Sequence, residues 1–302
     1  MLGAPLTEYF DMMNATDRTI RTPQGGVRIS QSAGTGLPIL MIHGQGASRK
    51  VFARQFDSPL AEAHRLIAVD LPGHGESDDA KDPAIGYTLH GLAEAMAWVL
   101  TGLDIKRTAV YGWSLGGHVA IELASHKSAV AGLMLTGAPP ISRGLIGMLR
   151  GFHASWDMFL ASKKVFSERD IERFEKLCFG DTADPSFRDN IARADGRLRV
   201  QVAHSMMGRD IADQRRVVEQ AEFPIAIVNG EHDPFVRLSY FDSLAYRAPW
   251  EHCHVIADAG HAPFWEKPNE FNLLLARFAA DVAAVERSRD AGNTLAGGKA
   301  IA

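Results

Sequence analysis

Six short apolar runs occur along the chain, and none of them alternates between apolar and polar residues. They are PILMIH (38–43), LIAVD (66–70), TAVYG (108–112), GLMLTG (132–137), PIAIVNG (224–230) and HVIA (254–257). Strands that are apolar on both faces are typical of a parallel sheet covered by helices on both sides. Amphipathic helical patterns separate the runs, so the sequence predicts an α/β fold with a doubly wound, mostly parallel sheet.

Two further strands and one long helical insertion complete the predicted architecture. TIRT and VRISQS flank the turn residues PQGG, which predicts an antiparallel hairpin at the sheet edge and a sheet of eight strands. Helical patterns fill residues 139–222, and we expect a helical cap (lid) there, inserted after the sixth strand. The core then comprises residues 1–138 and 223–289. The Gly-rich residues 290–302 are expected to form a disordered tail.

The composition of the 302 residues limits the kinds of partner. Hydrophobic residues make up 46% and charged residues 23%, which is typical of a globular domain with a sizeable core. A net charge of -4 does not provide the basic field that nucleic acid or anionic lipid requires. No signal-peptide pattern and no membrane-spanning apolar run is seen. We expect a cytoplasmic monomer or homodimer that binds a small molecule, and neither nucleic acid nor membrane.

The two cysteines, Cys178 and Cys253, lie far apart and neither belongs to a CxxC pair. We expect both to be reduced, a disulfide being the alternative. Cys253 lies between His252 and His254, but this short run is not a zinc spacing. The sequence therefore predicts no metal and no cofactor. DLPGHGES (70–77) lacks the Lys-Ser/Thr pair of a phosphate loop, which argues against a nucleotide site.

YGWSLGGH (111–118) places one serine among glycines, directly between a predicted strand and a predicted helix. A G-x-S-x-G sequence in this context is typical of a sharp turn that exposes a nucleophilic serine. Gly112 and Gly116 leave room for strand and helix to approach each other. Ser114 is therefore the candidate nucleophile, the alternative being a glycine-rich turn with an incidental serine.

A serine hydroxyl needs a base to take its proton, and the chain has twelve histidines. His43, His74 and His118 lie in turns or in the helix after the serine, where structural roles are expected. His261 lies in a loop after the last strand, which can reach the carboxyl edge of the sheet where ligands bind in such folds. The sequence therefore favours His261 as the base.

The carboxylate partner is expected in NGEHDPFV (229–236), which follows the strand before His261. Asp233 gives the chain order Ser, Asp, His of this type of site, and Glu231 is the alternative. An oxyanion also needs two N–H donors. We expect these from the backbones of Leu115, after the nucleophile, and Gln45, in the HGQG turn. The Gln45 side-chain amide is a possible third donor.

Taken together, the motifs HGxG, DxPGxGxS, GxSxGG and GHAPFWEKP resemble the α/β-hydrolase superfamily over residues 27–285. Longer stretches are similar to the N-acyl-homoserine lactonases of α/β-hydrolase type: VYGWSLGGHVAIE, LMLTGAPPISR, FSERDIERF, IARADGRLR, VNGEHDPFV and HVIADAGHAPF. This resemblance implies the α/β-hydrolase fold, a Ser114–His261–Asp233 triad and an oxyanion hole at Gln45 and Leu115. Those lactonases carry Glu and Asn where this chain has Asp233 and Gln45, so a shift in substrate preference is expected.

The expected activity is that of a serine carboxylic ester hydrolase that opens the ester ring of N-acyl-homoserine lactones, a quorum-quenching reaction, through an acyl-enzyme. The alternatives are a general carboxylesterase, a C–C bond hydrolase, and a non-catalytic small-molecule receptor on the same scaffold. Apolar and aromatic residues are candidates for substrate or acyl-chain contacts, although each also suits ordinary packing. They are Trp113, Trp156, Met158, Phe159, Phe166, Phe174 and Met206.

Overall fold

Eight strands of the computed structural model lie side by side in one sheet. The structure describes residues 12, 15–154, 160–208, 211–246, 250 and 252–298. The strands are β1 (Thr16–Thr22), β2 (Gly25–Gln31), β3 (Gly36–Ile42), β4 (His64–Val69), β5 (Thr108–Trp113), β6 (Val130–Thr136), β7 (Ile225–Gly230) and β8 (His254–Ile256). All six predicted apolar runs correspond to strands, but β8, at the sheet edge, exposes His254 and Val255 and is not the buried strand that its sequence suggests.

The strand order across the sheet is β1-β2-β4-β3-β5-β6-β7-β8. β1 and β2 form the predicted antiparallel hairpin, and β2 also pairs antiparallel with β4. From β4 to β8 all neighbours are parallel. The prediction of an eight-stranded, doubly wound and mostly parallel sheet is confirmed. The loops that follow β3, β5, β6, β7 and β8 therefore start at the same carboxyl edge.

Helices connect the strands on both faces of the sheet. Before β6 they are a 3-10 turn (Arg49–Phe52), α1 (Ala53–Phe56), α2 (Leu60–Ala63), α3 (Pro83–Gly86), α4 (Leu89–Gly102) and α5 (Leu115–His126). After β7 they are α11 (Leu238–Phe241), α12 (Pro263–Glu266) and α13 (Pro268–Gly298). In the part of the chain that the structure describes, none of the helices combines the length and the apolar character needed to cross a bilayer.

The described part of the segment between β6 and β7 consists mainly of helices. It contains α6 (Leu145–Gly151), α7 (Glu168–Phe179), α8 (Pro185–Arg193), α9 (Gly196–Met207) and α10 (Gln214–Gln220). Polar contacts join it to the core: the Asp195 N–H donates to the Gly73 carbonyl at 2.9 Å, and the Tyr87 hydroxyl donates to Asp195 Oδ2 at 2.7 Å. The division at residues 139 and 222 into core and cap stays a prediction.

α13 continues through Gly298, so residues 290–298 are helical in the structure, and the expectation that residues 290–302 form a disordered tail stays a prediction. The first part of α13 is anchored in the core by Phe271, Leu275 and Phe278, which are fully buried. Once a helix is nucleated by such packing, extension into the following residues adds one hydrogen bond for each residue fixed. The Gly-rich composition of residues 290–302 therefore does not by itself indicate where α13 ends.

The close approach of α5 to β3 at Gly116 gives the first testable prediction. A Cβ at Gly116 would overlap the Ile42 carbonyl oxygen, so Gly116→Ala should lower the free energy of unfolding by about 1–3 kcal/mol. Gly208→Ala is the matched control, because its nearest neighbour would lie at 3.2 Å and its φ of -73° suits any residue. Urea denaturation of the two variants measures the difference. Equal stabilities would show that the close approach is not required.

Candidate active site

Ser114 occupies a strained turn between β5 and α5. Its φ of 54° and ψ of -121° place a non-glycine residue in a sparsely populated region, at a cost of about 1–3 kcal/mol. Backbone hydrogen bonds hold it there: its N–H donates to the Thr136 carbonyl at 2.8 Å, and its own carbonyl accepts from the N–H groups of Gly117 at 2.9 Å and His118 at 3.3 Å. The half-buried side chain thus lies at the carboxyl edge of the sheet.

The loop after β3 lies directly against Ser114. An ideal Cβ built on Gly44 would be 3.0 Å from the Ser114 Cβ, so this loop approaches as closely as a glycine allows. Among the described residues, neither the Gln45 N–H nor the Leu115 N–H has a hydrogen-bond partner. Leu115 is the first residue of α5, where backbone N–H groups are free to bind an anion. The Gln45 side-chain amide donates to the Ala161 carbonyl at 3.2 Å.

Two buried histidines fix this loop. His43 Nδ1 donates to the Gly44 carbonyl at 2.7 Å, and its Nε2 accepts from the Leu71 N–H at 3.0 Å. His74 Nε2 accepts from the Gly46 N–H at 3.0 Å. Burial lowers the pKa of His43 and takes the pKa of His74 well below its ordinary value. Both rings are therefore neutral hydrogen-bond bridges at pH 7, the structural role that their sequence positions indicate.

His261 and Asp233 form a buried pair from two different loops. His261 Nδ1 lies 2.7 Å from Asp233 Oδ2, with side-chain exposures of 2% and 1%. Because a carboxylate can only accept, Nδ1 carries the proton and Nε2 keeps its lone pair. The other oxygen, Asp233 Oδ1, accepts from the N–H groups of Phe235 at 2.8 Å and Val236 at 3.2 Å. These bonds fix the carboxylate and, through it, the tautomer of the imidazole.

Glu231, the alternative acid, lies elsewhere. It is exposed, accepts from the Asp258 N–H at 3.2 Å and lies 3.8 Å from His232. No contact joins it to His261 within the described part of the chain. The structure thus brings Asp233, and not Glu231, to the imidazole.

The His261 ring is packed against the turn that follows β6. It lies against Gly137, where an ideal Cβ would be 2.8 Å from Nδ1. Phe235 meets it edge-on, with ring centroids 4.7 Å apart. Trp113, the residue before the nucleophile, donates its indole N–H to the His261 carbonyl at 2.8 Å. The Ser114 N–H donates to the Thr136 carbonyl, and the next residue, Gly137, contacts the His261 ring. The serine backbone and the imidazole thus contact two consecutive residues.

Two polar residues that sequence reasoning missed support the histidine. Glu266 accepts from the N–H groups of Gly260 and Ala262, on either side of His261, at 3.0 Å and 3.2 Å. Asn229 Oδ1 accepts from the Gly137 N–H at 2.7 Å and so holds the turn behind the ring. Both residues lie within the motifs GHAPFWEKP and NGEHDPFV, which was the available signal.

His118 lies one turn beyond the nucleophile and contacts the helical insertion. Its Nδ1 donates to Gln214 Oε1 on α10 at 2.8 Å. Burial lowers the pKa of His118 to about 4, so the ring is neutral at pH 7. It therefore ties α10 to α5 and is not placed as a base for Ser114.

The predicted pocket residues fall into two groups. Trp156, Met158 and Phe159 lie outside the described residues. Phe174 on α7 is buried, and its ring lies 3.2 Å from an ideal Cβ on Gly46, beside the proposed oxyanion loop. Its substrate contact stays a prediction, as do those of Phe166, Met206 and the buried Trp113. The helical insertion thus contacts the loop after β3.

Comparisons with known proteins agree with this geometry. The alpha/beta hydrolase fold family model matches residues 38–268. The solved structure of the N-acyl homoserine lactonase AidH complexed with N-butanoyl homoserine superposes with a TM-score of 0.85 and 41% identity, over 88% of this chain and 97% of that chain. This match confirms the resemblance to the lactonases seen in the sequence.

Two esterases are also similar. A putative aryl esterase from Burkholderia cenocepacia is 27% identical, with a TM-score of 0.71 over 89% of this chain and 100% of that chain. The pimeloyl-[acyl-carrier protein] methyl ester esterase of Nitrosomonas europaea is 28% identical over 254 residues, which is 80% of this chain and 95% of the relative.

An isosteric pair of substitutions tests the assignment of the acid. Asp233→Asn keeps the shape of the site but places an amide against Nδ1, which favours the wrong tautomer; turnover of an activated ester should fall by about 10³-fold or more. Glu231→Gln, the matched control, should change turnover less than about twofold, because Glu231 is exposed and bonded elsewhere. A larger loss in Glu231→Gln than in Asp233→Asn would refute the assignment.

Proposed function

Because the chain belongs to the alpha/beta hydrolase fold family, we propose that it is a serine hydrolase that opens the ester ring of N-acyl-homoserine lactones through an acyl-enzyme. One observation carries the reaction type. The strained Ser114 turn, the buried His261–Asp233 pair and two free backbone N–H groups meet at one sheet edge. This is the set of groups that acyl transfer to serine requires.

The first step follows from the tautomer of His261. Its Nε2 lone pair accepts the Ser114 hydroxyl proton while Ser114 Oγ attacks the ester carbonyl. Asp233 stabilises the imidazolium that forms without taking its proton. The N–H groups of Leu115 and Gln45 bind the oxyanion, each such donor being worth about 2.7–4 kcal/mol in comparable sites.

The second step releases an alcohol that stays tethered to the acyl group. The His261 imidazolium protonates the ring oxygen as the C–O bond breaks, and the freed hydroxyl is part of the same molecule. Unless it moves aside, it closes the ring again. His261 then activates a water that hydrolyses the acyl-enzyme. The helical insertion, which contacts the oxyanion loop through Phe174, is suited to control this space.

The lactone assignment rests on similarity and on leaving-group chemistry. The likeness to the lactonase AidH covers 88% of this chain at 41% identity. An acyl-homoserine lactone offers a ring ester and a side-chain amide, and the ester has less resonance to lose and a better leaving group. Ring opening is therefore the favoured reaction.

Product analysis tests the proposal. With N-hexanoyl homoserine lactone, mass spectrometry should find the ring-opened N-hexanoyl homoserine, which acid converts back to the lactone. In ¹⁸O water the label should enter the carboxylate and not the hydroxyl, because acyl–oxygen cleavage is expected. Ser114→Ala serves as the blank for spontaneous opening. Hexanoate with homoserine lactone would indicate an acylase; turnover of simple esters alone would indicate a carboxylesterase; tight binding without turnover would indicate a receptor.

The catalytic pair gives a further prediction. Ser114→Ala and His261→Ala should each lower kcat by about 10³-fold or more, and the double variant should be little slower than either. The losses are not additive because the base has no function without the hydroxyl it activates. Steady-state kinetics on the lactone measures all three variants. Multiplicative losses, or substantial turnover by Ser114→Ala, would rule out a serine mechanism.

A further inference from the structure

Helices α4 and α5 face each other with two histidine–glutamate pairs, each spaced one helical turn apart. His90 and Glu94 lie on α4, and Glu122 and His126 lie on α5. One ligand atom each of His90, Glu122 and His126 lies within 4.8 Å of the other two. The imidazole rings are 5.0 Å apart between centroids. Neither the fold nor the proposed reaction explains this cluster.

Glu122 is a buried carboxylate, 3% exposed. Its Oε2 accepts from the Ala212 N–H at 2.9 Å, and its Oε1 faces His90 Nδ1 at 3.6 Å. A buried carboxylate is costly unless it is hydrogen-bonded and paired with a cation. Lys127, on the residue after α5, is paired with Glu94 at 2.8 Å and not with Glu122. Oε1 is therefore available to a cation held between the two helices.

The tautomer of His126 is fixed by its neighbour. The Ser125 hydroxyl donates its one proton to the Glu122 carbonyl at 2.7 Å, so its oxygen can only accept from His126 Nδ1, also at 2.7 Å. Nδ1 then carries the hydrogen and Nε2 offers its lone pair. Metal-binding histidines are oriented by this kind of hydrogen bond on the other nitrogen.

The geometry points to a site for one zinc-like divalent transition metal between α4 and α5, with His90 Nδ1, Glu122 Oε1 and His126 Nε2 as ligands and solvent or Glu94 completing the shell. Two imidazoles and a carboxylate suit zinc. Bonds of about 2.0–2.1 Å require the ligands to close by small side-chain rotations, which exposed His90 permits. Because Glu122 also holds Ala212, the ion would join α4, α5 and the segment leading into α10.

A second cluster supplies the matched control. Glu231, His232 and Asp258 also bring three ligand atoms together, but all three residues are exposed. Two carboxylates and one imidazole form a harder donor set, and no buried carboxylate there calls for a cation. The variant His232→Ala removes the imidazole of this second cluster. It therefore tests whether zinc binds at the exposed cluster and not between α4 and α5.

Calorimetric titration of the full, tag-free chain with zinc chloride tests the site. We expect one ion bound per chain, with affinity at least about tenfold weaker in His90→Ala and in His126→Ala and unchanged in His232→Ala. Zinc should raise the Tm of the wild type but not of His126→Ala. Anomalous diffraction from zinc-soaked crystals should place the ion between α4 and α5.

Three results would overturn the site: no zinc binding by the wild type, equal affinity in His126→Ala, or loss of binding in His232→Ala. Misfolding of a variant can be distinguished from loss of the zinc site. Ester turnover at Ser114, measured for each variant without zinc, reports an intact fold. None of the three ligands contacts Ser114, His261 or Asp233 in the described structure, so this readout is independent of the metal.

Discussion

The close contact between strand β5 and helix α5 determines where every group of the candidate site lies. Gly112 lets β5 touch the α5 backbone at Gly116, and Gly116 itself lies against the Ile42 carbonyl of β3. The chain between the two glycines has no room for an ordinary turn. Ser114 is consequently held at a positive φ, with its hydroxyl at the sheet edge and the free end of α5 next to it. A larger residue at either glycine would move the nucleophile and the Leu115 N–H together.

The other groups reach the same point because parallel strands end at one edge. The loop after β3 supplies Gln45, the loop after β7 supplies Asp233, and the loop after β8 supplies His261. Loops that carry reactive groups need supporting hydrogen bonds to keep those groups in a reactive geometry. Here buried histidines hold the loop after β3 by hydrogen bonds, and backbone N–H groups hold the Asp233 carboxylate in the loop after β7. Glu266 accepts hydrogen bonds from the loop after β8.

The sequence predicted those parts of the fold that depend on local pattern. Apolar runs identify buried strands by themselves, and a serine between glycines after such a run identifies the turn. The hydrogen bonds that hold these loops could not be predicted from the sequence. Glu266 and Asn229 accept from backbone N–H groups, and the positions of those groups are defined only in the folded loops. The histidine–glutamate cluster escaped notice because its ligands come from two helices some thirty residues apart. Chain order already favoured Asp233 over Glu231, and the structure brings Asp233 into contact with His261.

The central claim is that Ser114 is the nucleophile activated by His261. Labelling with a fluorophosphonate probe, followed by peptide mass spectrometry, tests it most directly, because the probe reacts only with a serine that a neighbouring base activates. We predict one modified residue, Ser114, protection by excess N-acyl-homoserine lactone, and no labelling of His261→Ala. Modification of a different residue, or equal labelling of His261→Ala, would contradict the account.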